Sequence, residues 1–438
     1  MSERTHTSPW PASAIRNVDG ALEIGGMDVR SLAERYGTPL YVFDVRTIRE
    51  AARGFREGLA KHYPSSRVVY AGKAFLVTAL IEILVEEDLG LDVVSGGELF
   101  AGILAGMPAD RISFNGNNKS RRELAEGIAA GIGKVVIDND REISLLQELT
   151  GGCAEPLNVM IRINPGVDVH THRKISTGVA DSKFGFPVQD GQAERAVERI
   201  AGVPGLRLVG LHAHVGSQLF DDASIRDGIE VLLDFAAAMR ERYGFVLEHL
   251  SPGGGFGIAY TEDDQPRSYD AWTATIAEAI KVGCASRDLP EPIVTIEPGR
   301  SIVGPAGVAV YEVGAVKQVP GIRTYVSVDG GMADNIRPAL YEARYTAEIA
   351  NRSSTEPVFP VTIAGKYCES GDILIDQVVL PPLYPGDLLA IPAAGAYTLS
   401  MASNYNLSLR PPVVFVEDGT ARVVRRRESY DDLVRNDL

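Results

Sequence analysis

Short apolar runs recur along the first part of the chain, and each is followed by a segment in which apolar residues have helical spacing. The runs are rich in Val and Ile and lack strict polar alternation, which is typical of parallel strands covered on both faces. They lie at residues 68–74, 90–95, 111–115, 134–138, 158–164, 206–214, 247–251 and 293–297. Eight such strand-then-helix units predict a (β/α)8 barrel.

The pattern changes downstream of Arg300, where short extended runs are separated by Gly and Pro turns and helical signals are weak. This pattern indicates a mostly antiparallel β domain, a sandwich or a barrel, over residues 306–438. Residues 46–305 form the predicted barrel domain. Residues 1–45 carry two further extended runs around a short helix, and we expect this N-terminal segment to pair with the β domain. The predicted fold class is therefore α/β, a TIM-like barrel plus a C-terminal β domain.

Reactive side chains collect where the predicted strands end. In (β/α)8 enzymes the strand ends and the loops that follow them carry the catalytic groups. The residues at these positions are Lys73, Asp92, Ser95, Asn115, Asn164, His214, Ser217, Gly253, Gly254, Gly255, Glu297 and Arg300. The pattern therefore predicts an enzyme with a lysine in the mouth of its barrel.

Composition narrows the classes of partner and compartment. The formal charge of −15 argues against nucleic acid or an anionic membrane surface as a partner. No apolar run approaches the length of a membrane span, and the first residues contain no stretch typical of a signal peptide. We therefore expect a cytoplasmic protein. Three scattered cysteines fit neither a disulfide framework nor a zinc site, so we expect no bound metal.

Lys73 and the glycine-rich run after the seventh strand suggest a cofactor. A lysine at a barrel strand end can form a Schiff base with a carbonyl group, although a phosphate-binding or surface lysine is an equally ordinary alternative. The run at 253–257 (GGGFG) matches neither a dinucleotide fingerprint nor a P-loop, but it can bring backbone N–H groups to one anion. Ser217 would add a hydroxyl. A phosphate site and a Schiff-base lysine together suggest pyridoxal 5'-phosphate.

Glu297 acquires a specific role beside such a cofactor. A carboxylate next to the pyridine nitrogen keeps that nitrogen protonated and makes the ring a strong electron sink. A structural ion pair with Arg300 is the alternative. His214 can stack on the ring, whereas His212 lies two residues earlier on the same strand and is equally consistent with a packed core histidine.

Five separated motifs carry a resemblance to a known family. They are residues 70–75 (YAGKAF), 212–218 (HAHVGSQ), 253–255 (GGG), 297–300 (EPGR) and 368–372 (CESGD). Their order resembles that of the fold-type III pyridoxal-phosphate decarboxylases, which have an alanine racemase-like fold, and the similarity extends from about Trp10 to Leu433. The resemblance is strongest to the members that convert meso-2,6-diaminopimelate to L-lysine and carbon dioxide, the last step of lysine biosynthesis.

The resemblance implies roles for the matching residues. Lys73 would hold the cofactor, His214 would stack on its ring and Glu297 would face the pyridine nitrogen. The other cofactor contacts that it implies are Asp92, Ser217, Gly253, Gly254, Gly255, Gly299, Arg300 and Tyr397. The substrate contacts that it implies are Arg300, Arg337, Tyr341, Glu369 and Tyr397.

The resemblance also implies a homodimer with shared active sites. In the family, Cys368 and Glu369 reach the active site from the second subunit. Glu369 would bind the amino group at the far end of the substrate. Cys368 is the favoured proton donor, although most free cysteines behave as small hydrophobic residues.

Two departures from the family pattern occur near these motifs. Phe75 stands where many members have Asn, and residues 365–367 (GKY) stand where many have Gly-Pro. Neither change removes a chemical group that the mechanism needs. Residues 171–174 (THRK) resemble the family's mobile loop over the active site.

Three alternatives stay open on the sequence. A decarboxylase of the same mechanism could act on another amino acid, such as ornithine, an arginine-like substrate or one from a specialised pathway. An amino-acid racemase shares the barrel and the lysine, but it usually places a cationic group against the pyridine nitrogen, and Glu297 does the opposite. A non-catalytic carrier of the cofactor would leave the β domain without a purpose. Release of carbon dioxide separates the last two from a decarboxylase.

Overall fold

The computed structural model describes residues 8–166 and 182–438. The loop resemblance at 171–174 lies outside the described residues. The chain divides into two compact units. The barrel unit comprises residues 51–257 and 267–299, and the sheet unit comprises residues 1–50, 258–266 and 300–438. After residue 257 the chain therefore enters the sheet unit twice, first for the short segment 258–266 and then from residue 300 onward.

Eight parallel strands close the barrel, which confirms the prediction. Each strand pairs in parallel with the next, and the eighth pairs with the first. In chain order the strands are Ser66–Ala71, Gly90–Val93, Ile112–Phe114, Lys134–Ile137, Leu157–Asn164, Leu206–His212, His249–Gly253 and Ile293–Ile296. Their apolar residues are buried on both faces, which explains why the runs lack polar alternation.

Helices alternate with the barrel strands. Their bounds are Val45–His62, Thr78–Glu86, Gly96–Leu104, Arg121–Ala130, Asp140–Thr150, Gln192–Ala201, Ala223–Tyr243 and Tyr269–Ser286. Several begin at a side-chain cap soon after a strand ends. Ser95 accepts the N–H of Glu98, and Ser120 forms a capping box with Glu123. Such caps fix where each helix starts and hence the length of the loop before it.

Smaller elements complete the barrel unit. They are the single 3-10 turns Gly72–Ala74 and Ala109–Arg111, and a short strand, Phe186–Pro187, that pairs in parallel with Leu157–Asn164. In the described part of the chain, no helix is long and apolar enough to cross a membrane.

A buried ion pair ties the third strand's loop to the helix after the fourth strand. Lys119 Nζ lies 2.9 Å from Glu142 Oε2, and both side chains are 1% exposed. Lys119 Nζ also donates to the backbone oxygens of Gly116 and Val136 at 2.6 and 2.8 Å. The Glu142 carboxylate accepts the N–H groups of Lys119 and Asp138. The pair therefore fixes two neighbouring loops at the end of the barrel where the strands finish.

Replacing Lys119 with alanine is expected to destabilise the barrel by about 3–5 kcal/mol, because it leaves the buried Glu142 carboxylate without its cation. Thermal unfolding followed by circular dichroism measures the change. The matched control is Arg122→Ala, which breaks an exposed pair with Glu126 at 2.7 Å and should have a far smaller effect. Equal melting temperatures for the Lys119 variant and the wild type would contradict the prediction.

The sheet unit is built on one mixed sheet. Its strands, in spatial order, are Ile373–Leu380, Phe359–Ala364, Arg323–Val328, Gly307–Val319, Leu40–Asp44, Val413–Glu417 and Thr420–Arg425. Most neighbours are antiparallel, as the sequence predicts. Two pairs are parallel: Arg323–Val328 with Phe359–Ala364, and Leu40–Asp44 with Val413–Glu417. Leu388–Ile391 pairs with both Gly307–Val319 and the short strand Glu348–Ile349.

The N-terminal residues contribute a central strand to this sheet. Leu40–Asp44 lies antiparallel to Gly307–Val319 on one side and parallel to Val413–Glu417 on the other, and its five residues are buried. A separate three-stranded sheet precedes it and is followed by the helix Val29–Tyr36. That sheet consists of Ile15–Arg16, Leu22–Ile24 and Met27–Asp28.

Short helical elements complete the sheet unit. They are Arg300–Val303, Arg337–Tyr341 and Tyr430–Val434, with single 3-10 turns at Leu399–Met401 and Tyr405–Leu407. Apolar side chains from the N-terminal strands and the helix after them pack with those of the central strands, for example Ile24 and Leu32 with Val308, Val310 and Val414. The N-terminal segment is thus part of the unit's core.

Candidate active site

Lys73 lies in the single turn Gly72–Ala74, directly after the first barrel strand. Its side chain is exposed, unlike the residues on either side of it. Across residues 8–166 and 182–438, no hydrogen bond or ion pair to its ammonium group is found. Lys73 is therefore an accessible amine at the end of the barrel where the predicted site lies.

Glu297 follows the eighth strand, and both of its carboxylate oxygens are held. His212 Nε2 lies 3.0 Å from Oε2, and Ser251 Oγ donates to Oε1 at 2.7 Å. Burial tends to raise the pKa of Glu297, but the charge and hydrogen bond of His212, with the hydrogen bond of Ser251, lower that pKa below its ordinary value. Glu297 is therefore held as a carboxylate inside the barrel.

The positions of His212 and Ser251 follow from strand register. The two residues are direct neighbours on the sixth and seventh strands, so their side chains lie side by side. The sequence analysis left His212 between core packing and function and did not single out Ser251. The available signal was that each is a polar residue in the last part of a predicted strand. Their shared partner Glu297 could not be identified without the register.

Asp92, at the third position of the second strand, pairs with Ala71 of the first strand in register. Asn115 Nδ2 donates to Asp92 Oδ1. Burial raises the pKa of Asp92 well above its ordinary value; the negative charge of Glu297 raises it further, and the positive charge of Lys73 opposes the rise. The two buried carboxyl groups therefore differ, since the environment favours neutral Asp92 and ionised Glu297.

His214 lies beyond the end of the sixth strand as a neutral imidazole. The N–H of Gly254 donates to its Nδ1 at 3.4 Å, which requires that nitrogen to be unprotonated. Burial lowers the pKa of His214 well below its ordinary value, and the positive charges of Lys73 and Arg162 lower it further. A neutral imidazole presents a flat apolar face beside the lysine and is suited to stacking on an aromatic ring.

The glycine run approaches the neighbouring strand ends closely. A Cβ on Gly254 would lie 2.1 Å from the Glu297 backbone oxygen, and one on Gly255 would lie 2.1 Å from that of Gly216. Gly253 and Gly255 also have positive φ values, 79° and 92°, which favour glycine. Larger residues are therefore excluded by both space and backbone conformation.

The three glycines differ in what their N–H groups do. The N–H of Gly253 donates to Ser251 Oγ at 3.2 Å, and that of Gly254 donates to His214. Among the described residues, the N–H of Gly255 meets no protein acceptor. Gly255 is therefore the member of the run with a backbone donor left for an anion.

The remaining predicted cofactor residues of the barrel unit are Ser217 and Gly299. Ser217 is half-buried in the loop after the sixth strand. Gly299 packs against the first strand, because a Cβ there would lie 3.0 Å from the Cβ of Ala71. The barrel unit therefore brings together Lys73, Asp92, His214, Ser217, Gly253, Gly254, Gly255, Glu297 and Gly299.

The donor set of the barrel fits pyridoxal 5'-phosphate. An accessible lysine suits its aldehyde, a buried ionised carboxylate suits a protonated ring nitrogen, and a neutral imidazole suits the ring face. An N–H donor in a glycine turn suits its phosphate. Each part of this cofactor has a matching group on the barrel.

The sheet unit holds the other predicted residues, and two of them form an arginine–tyrosine cluster. Arg300 Nη1 donates to the hydroxyl of Tyr260, and Arg337 Nη1 donates to that of Tyr345. Arg300 Cζ also lies 4.7 Å from the ring centre of Tyr397, a half-buried residue with a positive φ of 57°. All of these side chains except Tyr397 are buried. The sequence analysis singled out both arginines and Tyr397 but missed Tyr260 and Tyr345.

Three further predicted residues of the sheet unit lie nearer the surface. Tyr341 ends the helix Arg337–Tyr341 and is half-buried. Cys368 and Glu369 are exposed. The backbone of Cys368 is fixed at both ends, because its N–H donates to Asn406 Oδ1 at 3.0 Å and its oxygen accepts the hydroxyl of Tyr405 at 3.3 Å.

Comparison with known proteins defines the class first. Residues 45–304 match the family model described as the pyridoxal binding domain of pyridoxal-dependent decarboxylases. With the lysine, carboxylate and glycine turn of the barrel, this match makes the chain a pyridoxal-phosphate-dependent decarboxylase, a lyase. Its resident cofactor is pyridoxal 5'-phosphate, and the alanine racemase-like fold is shared with its structural neighbours.

Full-length relatives define the family more closely. The diaminopimelate decarboxylase of Bacillus subtilis (strain 168) is 50% identical over 97% of this chain and 96% of its own length. The solved structure of the M. jannaschii diaminopimelate decarboxylase in complex with L-lysine has a TM-score of 0.90 at 36% identity, covering 97% of this chain and 98% of that chain. The chain belongs to the diaminopimelate decarboxylase family. A solved lysine/ornithine decarboxylase from Vibrio vulnificus is more distant, with a TM-score of 0.75 at 25% identity over 89% of this chain and 97% of that chain.

Proposed function

We propose that this chain decarboxylates meso-2,6-diaminopimelate to L-lysine and carbon dioxide. The observation that carries the substrate assignment is Arg337, a guanidinium group buried in the sheet unit. Among the described residues no carboxylate pairs with its guanidinium group, whose one hydrogen bond there is the one to the Tyr345 hydroxyl. A buried guanidinium is expected to pair with an anion, and a substrate carboxylate is a planar, bidentate match.

Arg337 keeps its positive charge even though no carboxylate among the described residues pairs with it. Burial tends to lower the pKa of Arg337, but the neighbouring hydroxyl groups of Tyr260 and Tyr345 raise it above its ordinary value. Diaminopimelate carries a carboxylate at each end, whereas ornithine and lysine carry one. A cationic site for a far carboxylate would favour the first over the other two. The higher identity to diaminopimelate decarboxylases than to the lysine/ornithine enzyme supports the same choice.

Each predicted site residue has its own proposed role in the reaction. Lys73 would hold the cofactor covalently, Glu297 would keep the ring nitrogen protonated, His214 would cover the ring face, and Asp92 would lie beside Lys73. Ser217, Gly253, Gly254, Gly255, Gly299, Arg300 and Tyr397 would contact the cofactor, with Gly255 supplying the backbone donor to its phosphate. When bound, pyridoxal 5'-phosphate supplies an electron sink for the pair left on the α-carbon as carbon dioxide departs.

Substrate binding and protonation fall to the sheet unit in this proposal. Arg300, with Tyr397, and Arg337, with Tyr341, would bind carboxylates. Glu369 would bind the far ammonium group. Cys368 would return a proton to the α-carbon after the carbon–carbon bond breaks, so that one proton replaces one carboxylate in the product.

The direct test is carbon dioxide release from the cofactor-loaded enzyme with meso-diaminopimelate, L-lysine and L-ornithine as parallel substrates. Rapid release from meso-diaminopimelate alone is expected. Release from ornithine or lysine at a comparable kcat/KM would instead indicate a diamine-forming enzyme of the same mechanism.

An Arg337→Ala variant is expected to lose about 50-fold in kcat/KM on meso-diaminopimelate, because truncating one partner of a buried charge pair leaves the substrate carboxylate unpaired. The matched control is Arg323→Ala, an exposed arginine of the same unit that pairs with Asp376 at 2.8 Å. Its kcat/KM should match that of the wild type. Full efficiency in the Arg337 variant would defeat its assignment to the far carboxylate.

We also propose that two copies of the chain form a dimer in which Cys368 and Glu369 complete the partner's site. The exposure of both residues in the single chain supports this proposal. Mixing inactive Lys73→Ala and Cys368→Ala proteins under exchanging conditions should restore about a quarter of wild-type activity, since half of the dimers are mixed and each has one intact site. The double variant Lys73→Ala/Cys368→Ala, mixed with the Lys73→Ala protein, gives the baseline, because no dimer in that mixture has an intact site. No recovery, with dimer exchange verified by light scattering or mass photometry, would count against shared sites.

A further inference from the structure

Two tyrosines that the resemblance does not assign lie against the arginines of the sheet unit. Tyr260 comes from the short segment 258–266, and Tyr345 follows the helix Arg337–Tyr341. Both are buried, at 6% and 4% exposure. Their rings meet edge to face, with centres 5.3 Å apart and planes at 84°, which is a favoured aromatic arrangement.

The tyrosine pair holds the guanidinium group of Arg337 in two ways. The Arg337 Nη1 donates to the hydroxyl of Tyr345, and Arg337 Cζ lies 4.3 Å from the ring centre of Tyr260. Arg337 Cζ also lies 5.4 Å from the ring centre of Tyr345. One hydrogen bond in the plane and one aromatic face against it restrict both the position and the rotation of the guanidinium.

Such restraint matters for an arginine without an acidic partner. An arginine side chain loses considerable rotamer freedom when it is fixed, and binding is weakened if the ligand must impose that order. A carboxylate partner in the protein would fix the side chain but would also occupy its donors. The tyrosines fix Arg337 and leave its charge uncompensated by any anion among the described residues.

We propose that Tyr260 and Tyr345 are positioning residues that hold Arg337 for the far carboxylate of the substrate. The proposal rests on the proposed function above, because it assumes that Arg337 binds this group. Neither tyrosine is assigned contact with the reacting atoms. Their effect should therefore appear in the binding of any ligand that carries the far carboxylate and should be absent for a ligand that lacks it.

Two ligands separate these cases. Decarboxylation removes one carboxylate of meso-diaminopimelate, so the L-lysine product keeps the far carboxylate. Cadaverine, 1,5-diaminopentane, has the same chain and both amino groups but no carboxylate. A change that acts only through Arg337 should weaken L-lysine binding and leave cadaverine binding unchanged.

The experiment uses Tyr345→Phe, which removes only the hydroxyl, and Tyr260→Leu, which removes the ring beneath Arg337. Because the Tyr260 hydroxyl also accepts a hydrogen bond from Arg300, Tyr260→Phe, which loses that hydroxyl and keeps the ring, is measured beside Tyr260→Leu to separate the two contacts. Calorimetric titration of the cofactor-loaded proteins gives Kd for both ligands, independently of turnover. We expect about a tenfold rise in Kd for L-lysine in Tyr345→Phe relative to the wild type, and in Tyr260→Leu relative to Tyr260→Phe, the size typical for one lost contact to a charged group. The KM for meso-diaminopimelate should rise in parallel, with kcat within about threefold of the wild type and Kd for cadaverine unchanged.

The matched control is Tyr63→Phe in the barrel unit. Tyr63 is also buried, and its hydroxyl donates to the Pro292 backbone oxygen at 2.9 Å. This variant should show wild-type values for both ligands. Thermal melting and the visible absorbance of the bound cofactor establish that each variant is folded and loaded.

Two results would overturn the proposal. Unchanged Kd and KM in the Tyr345→Phe variant would exclude a positioning role for that hydroxyl. Equal weakening of L-lysine and cadaverine would indicate general damage to the site. A wild-type enzyme that binds L-lysine but releases no carbon dioxide from meso-diaminopimelate would reject the proposed function, while the comparison of the two ligands would still judge the tyrosines.

Discussion

A Lys73→Ala variant is expected to lose at least about 10³-fold in kcat for carbon dioxide release, since the loss of a covalent catalytic residue, the role proposed for Lys73, typically costs this much or more. The structure supports the choice of lysine. Lys73 is exposed at the end of the first strand, and Asp92 and His214 are close enough for its charge to shift their pKa values. Stopped-time carbon dioxide assays at saturating meso-diaminopimelate measure the effect.

Lys134→Ala is the matched control for this prediction. Lys134 is also a barrel lysine, but it begins the fourth strand and so lies at the opposite end of the barrel from Lys73. Burial and the positive charge of Arg67 lower the pKa of Lys134. A lowered pKa is therefore not sufficient to identify a catalytic lysine in this barrel. Its replacement should change kcat less than about threefold.

Chemical trapping separates a catalytic role of Lys73 from a structural one. Borohydride reduction followed by peptide mass analysis should place the mass of the cofactor on the peptide that contains Lys73 in the wild type. The Lys134→Ala protein should give the same result, and the Lys73→Ala protein should give no labelled peptide. Label on another lysine in the wild type would show that the attachment site was wrongly assigned.

The barrel could be predicted from sequence because its signal is local. Each strand is a short apolar run, each helix has an apolar face, and the regular alternation of the two fixes both the number of strands and the end that carries the site. Lys73, Asp92, His214 and Glu297 were predicted as site residues in this way, because each lies in, or directly after, the last part of such a run. Their proximity follows from the parallel closure of the barrel.

The contacts within the site depend on register and on distant segments, which local patterns do not encode. His212 and Ser251 meet Glu297 because their strands pair at one particular register. The same limit applies to Tyr260 and Tyr345, which are 85 residues apart in the chain. Nothing in the sequence pattern indicated that residues 258–266 leave the barrel unit for the sheet unit.

The sheet unit was less predictable than the barrel for a related reason. Short strands separated by Gly and Pro turns indicated β structure but not pairing partners. The two parallel pairs, Arg323–Val328 with Phe359–Ala364 and Leu40–Asp44 with Val413–Glu417, join strands that are distant in the sequence. A β signal of this kind specifies composition and alternation, whereas parallel pairing is decided by the fold as a whole.

A Glu297→Gln variant is expected to lose on the order of 10²- to 10³-fold in kcat, the range seen when one preorganised electrostatic group is removed from an active site. The amide has the shape of the carboxylate, so packing is preserved. It cannot carry the negative charge that the His212 and Ser251 contacts hold in place. Without that charge, the cofactor ring nitrogen would lose the group proposed to keep it protonated, and the electron sink would be weakened.

Ser251→Ala separates the charge of Glu297 from its positioning. This change removes the 2.7 Å hydrogen bond to Oε1 but leaves the carboxylate and its contact with His212. It should cost about tenfold or less, because one neutral donor to a charged acceptor is lost while the charge stays. A graded series, with the wild type fastest, Ser251→Ala intermediate and Glu297→Gln slowest at equal cofactor content, is the expected outcome. If Glu297→Gln kept wild-type kcat with full cofactor loading, the carboxylate would be a structural partner of His212, and the role of protonating the ring would have to be sought elsewhere in the barrel.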